Sequence, residues 1–133
     1  MKRTLVAIVA VFVAWSILDF ILHGVLLGSI YARTAELWRP MAEMKMGLTY
    51  VVVLIAAACF VYVYAELVSD RSSRGALIYG LVFGIGTGTS MGYGSYAVMP
   101  LPYYLALSWF LGTVVETVVG AYVAWFVLKR PAE

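Results

Sequence analysis

Asp19 and His23 lie four residues apart inside 16-SILDFILHGVLLGS-29, an otherwise apolar run, and His23 is the only histidine of the chain. On a helix, residues at this spacing share a face, and Trp15 falls on it too. A third ionisable group, Glu116, sits midway along a later apolar segment. Carboxylates and imidazole carry protons and ligate cations and metals. Three chemistries are therefore open to Asp19, His23 and Glu116. They hold structure, by hydrogen-bonding one another or a tyrosine. They form a proton or cation site. Or they are candidate ligands of a metal, although the ExxH pairs of di-iron bundles are absent.

No cofactor is specified by these residues. One histidine excludes bis-histidine haem ligation within the chain. A Ser-His-Asp arrangement would have to recruit Ser16, seven residues from His23, and an oxyanion hole that no motif provides. No complete catalytic set is present, so an enzyme is not the expectation.

The elements that position these groups follow from composition. Of 133 residues, 64% are hydrophobic and 12% charged, about half the charged fraction of a soluble domain. With a mean hydropathy of +0.95, the expected solvent is lipid. A net charge of +2 gives no footing for a nucleic-acid partner. Four segments have the roughly 20 apolar residues a spanning helix needs: 4–31, 48–67, 75–99 and 102–128. The start, MKRTLVAIVAVFVAW, resembles a secretory signal, but the apolar run continues to Tyr31 without a small-x-small cleavage site, so it reads as an uncleaved first span.

The loops set the orientation. Lys2, Arg3, Arg71, Arg74, Lys129 and Arg130 lie at the ends and in the loop after span two; Arg33, Arg39 and Lys45 lie in the loop after span one. This bias predicts both termini in the cytoplasm. The expected fold is all-α: an integral membrane bundle of four transmembrane helices in a single domain, multi-pass in a bacterial inner membrane. The loop 32–47 reads either as a surface helix with Leu37, Trp38, Met41 and Met44 facing lipid, or as a solvated loop. Tyr96, Tyr103, Tyr104 and Trp109 at one end and Trp125 at the other are candidate interfacial aromatics, or packing residues. The lone Cys59 is expected to be a buried small hydrophobe.

Lipid offers no hydrophobic drive for helix association, so small residues must let helices approach. In 80-GLVFGIGTGTSMGYG-94, Gly80, Gly84, Gly88 and Gly92 recur every four residues and predict a groove. Gly24 and Gly28 offer a shorter one, and Gly112 and Gly120 share a face with Glu116. The groove serves either packing within the chain or self-association. The same stretch lacks the lysine of a phosphate loop; a local helix distortion there is compatible with its glycines.

The segments 19-DFILHGVLLGSIY-31, WRP at 38–40 and 93-YGSYAVMPLP-102, with the glycine-rich third span between them, resemble small uncharacterised four-span bacterial membrane proteins of domain-of-unknown-function type. The resemblance implies the topology and the inner membrane, and no activity. The functional expectation is an accessory or assembly subunit, acting by helix association in the lipid bilayer as a homo-oligomer or with other membrane subunits. The alternative is a proton or cation transporter or channel component using Asp19, His23 and Glu116.

Overall fold

The computed structural model describes residues 1–129. It is all-helical, with no strand among the described residues. Helix α1 (Lys2–Asp19) continues through a widened π turn (Phe20–Leu26) into α2 (Gly28–Arg33). Two short 3-10 turns, Ala35–Leu37 and Met41–Glu43, lead to α3 (Met46–Leu67). Helix α4 (Ser73–Gly88) continues through a second π turn (Thr89–Gly94) into α5 (Ser95–Val98), and α6 (Tyr103–Leu128) completes the fold. Arg130, which contributes to the predicted orientation, lies outside the described residues.

Three stretches are long and apolar enough to cross a membrane: Lys2–Leu26, Met46–Leu67 and Tyr103–Leu128. The expected span over 75–99 is not among them. Seven glycines between Ser73 and Val98 lower its hydropathy, and its α-helical run stops after 16 residues at the second π turn.

Helix α6 is the hub and packs on α1, α3 and α4. One core cluster joins Ala7, Val11 and Trp15 of α1 to Ala57, Phe60, Val61 and Tyr64 of α3, Ala76 of α4, and Ala121 and Ala124 of α6. A second joins Leu27, Leu101, Leu105 and Trp109. The first lies at the end carrying Lys2 and Leu128, called basal below; the second lies at the distal end. Consecutive long helices thus run in alternating directions.

Four glycines of α4 and its π turn are spent inside the chain. A Cβ at Gly80 would meet the Val118 Cα at 2.7 Å and the Thr117 carbonyl at 2.8 Å. One at Gly84 would strike the Thr117 hydroxyl and meet the Val114 Cα at 2.8 Å; one at Gly88 would meet the Phe110 carbonyl at 2.9 Å; one at Gly92 would strike the Ala106 carbonyl. Backbone touches backbone along the α4–α6 interface, which only glycine permits. Gly120 admits the Trp15 indole, whose Nε1 would lie 2.6 Å from an added Cβ, and Gly112 receives the Leu22 side chain. Gly24 and Gly28 behave differently. The nearest atoms to a Cβ at Gly24 belong to its own helix neighbour Phe20, and Gly28 has nothing within 4 Å. No other helix of this chain uses them.

Helix α3 joins the bundle through half its length. Val53 still packs against the basal core, whereas every residue from Met46 to Val52 is exposed. Cys59 is exposed too, contrary to the expectation of burial: only the Ala57–Phe60–Val61–Tyr64 side of α3 faces other helices. The loop expectation also changes. Leu37 and Trp38 turn inward onto the distal cluster while Met41 stays exposed, because Trp38 finds ring partners in Tyr31 and Trp109 at 5.4 and 6.0 Å. Trp109 is a packing residue, 8% exposed, whereas Tyr96, Tyr103 and Tyr104 remain exposed.

The basal loop is tightly tied. Ser72 caps α4 by accepting from the Gly75 amide at 3.0 Å, as N-cap serines do. Asp70 accepts from the Ser72 amide at 2.9 Å. Those bonds from Ser72 hold the exposed Asp70 carboxyl below its ordinary range. The Arg71 guanidinium donates to the Ala65 carbonyl, and the Trp125 indole donates to the Arg71 carbonyl at 3.0 Å.

Candidate functional site

The site starts with Trp15. Its indole crosses to α6 over Gly120 and donates to the Glu116 carbonyl at 2.6 Å. This fixes the register of α1 on α6 and sets Asp19, one turn further along α1, opposite the Glu116 side chain. Glu116 Oε1 is buried with no hydrogen-bond partner among the described residues. Two carboxylates offer only acceptors, so a bond between these side chains would require a proton on one of them.

His23 extends the set. Its Nε2 lies 3.8 Å from Asp19 Oδ1, an electrostatic contact too long for a hydrogen bond. Its Nδ1 is 2.6 Å from the Tyr31 hydroxyl, and the Trp109 indole donates to that hydroxyl at 2.7 Å. Hydrogen bonds thus join His23, Tyr31 and Trp109, with Asp19 beside His23. Thr34 closes the distal end by donating to the Ile30 carbonyl at 2.9 Å and accepting from the Trp38 indole at 2.9 Å.

The π turn makes the His23–Tyr31 contact possible. In an ideal α-helix about 7.2 residues make two turns, so a residue eight positions on is rotated away. The Leu27 amide reaches back five residues to the Leu22 carbonyl at 2.9 Å, which inserts one residue into the turn and brings Tyr31 back over His23.

The sequence-derived residues are thus brought together: Asp19, His23 and Glu116 share one level of the bundle. Among the described residues no group of three or more His, Cys, Asp or Glu is placed to hold a metal ion. Ser16 is not linked to His23; its hydroxyl is buried without a partner. Sequence reasoning missed Trp15 as the register pin and Tyr31, Trp38 and Trp109 as partners of the site. An i+8 tyrosine gives no signal unless a π turn is foreseen.

One side of the chain of polar groups is open. The side chains of Asp19 and His23 are 35% and 39% exposed, because the distal part of α3, which would otherwise flank α1 there, stands away. Gly24 follows His23 directly in the chain, and Gly28 lies four residues further on.

No protein-family model matches the chain, and no curated protein or solved structure matches it either. The class that fold and site define is an all-helical protein with three candidate membrane-spanning helices and a linked set of polar side chains between α1 and α6.

Proposed function

We propose that the chain is a four-span protein of a bacterial inner membrane, with both termini in the cytoplasm, and that it works as an accessory or assembly subunit through helix association. Packing of Ser73–Val98 along α6 supports a fourth span; its 26 residues rise about 39 Å at 1.5 Å per residue. The Lys and Arg bias towards the basal end supports the orientation.

The observation that carries the assembly reading is the uncovered flank at Asp19 and His23. An ionisable side chain facing hydrocarbon at membrane depth costs roughly 2.5–3.5 kcal/mol even on insertion scales. A partner helix removes that cost. Gly24 and Gly28, unused within the chain, allow such a helix to approach closely beside the polar groups. The test is extraction from native membranes in mild detergent. The expected result is a complex larger than one chain that separates in the double variant Asp19→Leu/His23→Leu. Wild type recovered as a single chain contradicts the proposal. The masses of the co-purifying polypeptides distinguish a second copy from a different subunit.

A second reading rests on the carboxyl pair. Asp19 beside His23, His23 bonded to Tyr31 and the buried Glu116 Oε1 line up ionisable groups as a proton or cation path would. In liposomes, the purified protein would then dissipate a proton or cation gradient, and Asp19→Asn and Glu116→Gln would abolish the flux. Unchanged flux in both variants removes these groups from any transport.

A further inference from the structure

We propose that Tyr31 is a positioning residue that locks the imidazole of His23 as its Nε2–H tautomer. The site then turns a hydrogen-bond donor, not an acceptor, towards Asp19 and the open flank.

Two protons and three groups, Trp109, Tyr31 and His23, decide the tautomer. An indole nitrogen only donates, so the Trp109 bond of 2.7 Å occupies the Tyr31 oxygen as an acceptor. Tyr31 keeps one proton to give. Among the described residues its hydroxyl has two partners, Trp109 and His23, so that proton goes to His23 Nδ1 at 2.6 Å. A donating tyrosine requires Nδ1 to be the unprotonated nitrogen, which leaves the imidazole proton on Nε2. The opposite tautomer would have Trp109 and His23 both donate to Tyr31 and would leave the phenol proton without an acceptor, a deficit that burial penalises.

The phenol itself is held from two sides. Trp38 packs edge-on to Tyr31 at 5.4 Å, and the Trp109 indole donates to its hydroxyl. On the other side of the imidazole, Nε2–H faces Asp19 Oδ1 at 3.8 Å.

The consequence is specific to the flank. It presents a donor, Nε2–H, beside an acceptor, the Asp19 carboxyl, one turn apart. The inference deepens the reading of Asp19, His23 and Glu116 as the working polar site. It is tested without reference to assembly or transport, so the two can fail separately.

His23 is the only histidine, so nitrogen NMR of the full chain labelled with 15N-histidine, in bilayers, reads this one side chain. The wild type is expected to show an unprotonated, pyridine-like Nδ1 and a protonated, pyrrole-like Nε2. Tyr31→Phe, which keeps the ring and deletes the hydroxyl, is expected to lose that pattern and give mixed tautomers. Should Tyr31→Phe not fold, Trp109→Phe provides the second arm: it frees the Tyr31 oxygen to accept and is expected to populate the Nδ1–H form. A protonated Nδ1 in the wild type overturns the proposal. So does a wild-type pattern that survives in whichever of the two variants folds.

Discussion

The basal and distal halves of the bundle use the same helices on different terms. In the basal half every long helix contributes to one core. Phe60 meets Trp15, Tyr79 and Phe83 at ring distances of 4.7–5.1 Å, the Tyr79 hydroxyl donates to the Phe60 carbonyl at 2.6 Å, and the loop below is pinned by Ser72, Arg71 and Trp125. In the distal half α3 has left the bundle, two helices widen into π turns, and the polar side chains gather. Apolar surface needs no cover in lipid, so α3 loses little by standing free. Hydrogen-bonding groups do need cover. The distal half thus leaves Asp19 and His23 partly exposed, the kind of surface that a membrane penalises.

The sharpest way to break this comparison is to truncate one apolar side chain in each half of α3. Phe60 is fully buried, and Phe60→Ala should cost about 3–5 kcal/mol. Val51 is 50% exposed, and Val51→Ala should stay within about 0.5 kcal/mol. Unfolding of both variants in detergent checks the pair; equal losses would mean that α3 is docked along its whole length.

Next in size is Gly84→Leu. The new side chain has backbone in its way at Val114, and overpacking of this kind costs about 1–3 kcal/mol or more. Leu81→Ala, on the exposed side of α4, should change melting little. Gly120→Val is expected to cost about 1–2 kcal/mol, since it displaces the Trp15 indole and its bond to the Glu116 carbonyl. It should also uncouple Asp19 from Glu116, visible as a shift in the carboxyl bands by infrared spectroscopy, which Leu81→Ala would not produce.

The smallest expected effect lies in the basal loop. Asp70 is held below the ordinary aspartate value of 3.8 by bonds from Ser72. A carboxyl whose folded pKa is lowered stabilises the fold above its unfolded pKa, and loses that contribution as pH falls through the folded one. Wild type should therefore melt slightly higher than Asp70→Asn near neutral pH, and the gap should close below pH 3.8. A gap that widens on acidification would contradict the assignment.

The all-helical, apolar character of the chain was legible in its composition, and the recurrence of glycine in its spacing. Spacings of four put Gly80, Gly84, Gly88 and Gly92 on one face, and a neighbouring backbone fills it. Asp19, His23 and Glu116 stood out because charge within an apolar run is conspicuous. What composition could not tell is which side of each helix finds a neighbour. Cys59 and the residues from Met46 to Val52 look like core in sequence and are exposed, since apolar side chains suit lipid and protein interior equally. The π turn at Phe20–Leu26 was hidden for another reason. One inserted residue leaves no mark on hydropathy, yet it brings Tyr31 to His23 and changes what the site can do.

The claim that most depends on this reading is that the Asp19–His23 flank is covered by another polypeptide. Native mass spectrometry of the chain released from its own membrane tests it directly. The expected spectrum shows the chain in a larger complex, and Asp19→Leu/His23→Leu shows it alone. A wild-type spectrum of single chains, unchanged in the double variant, would contradict the account.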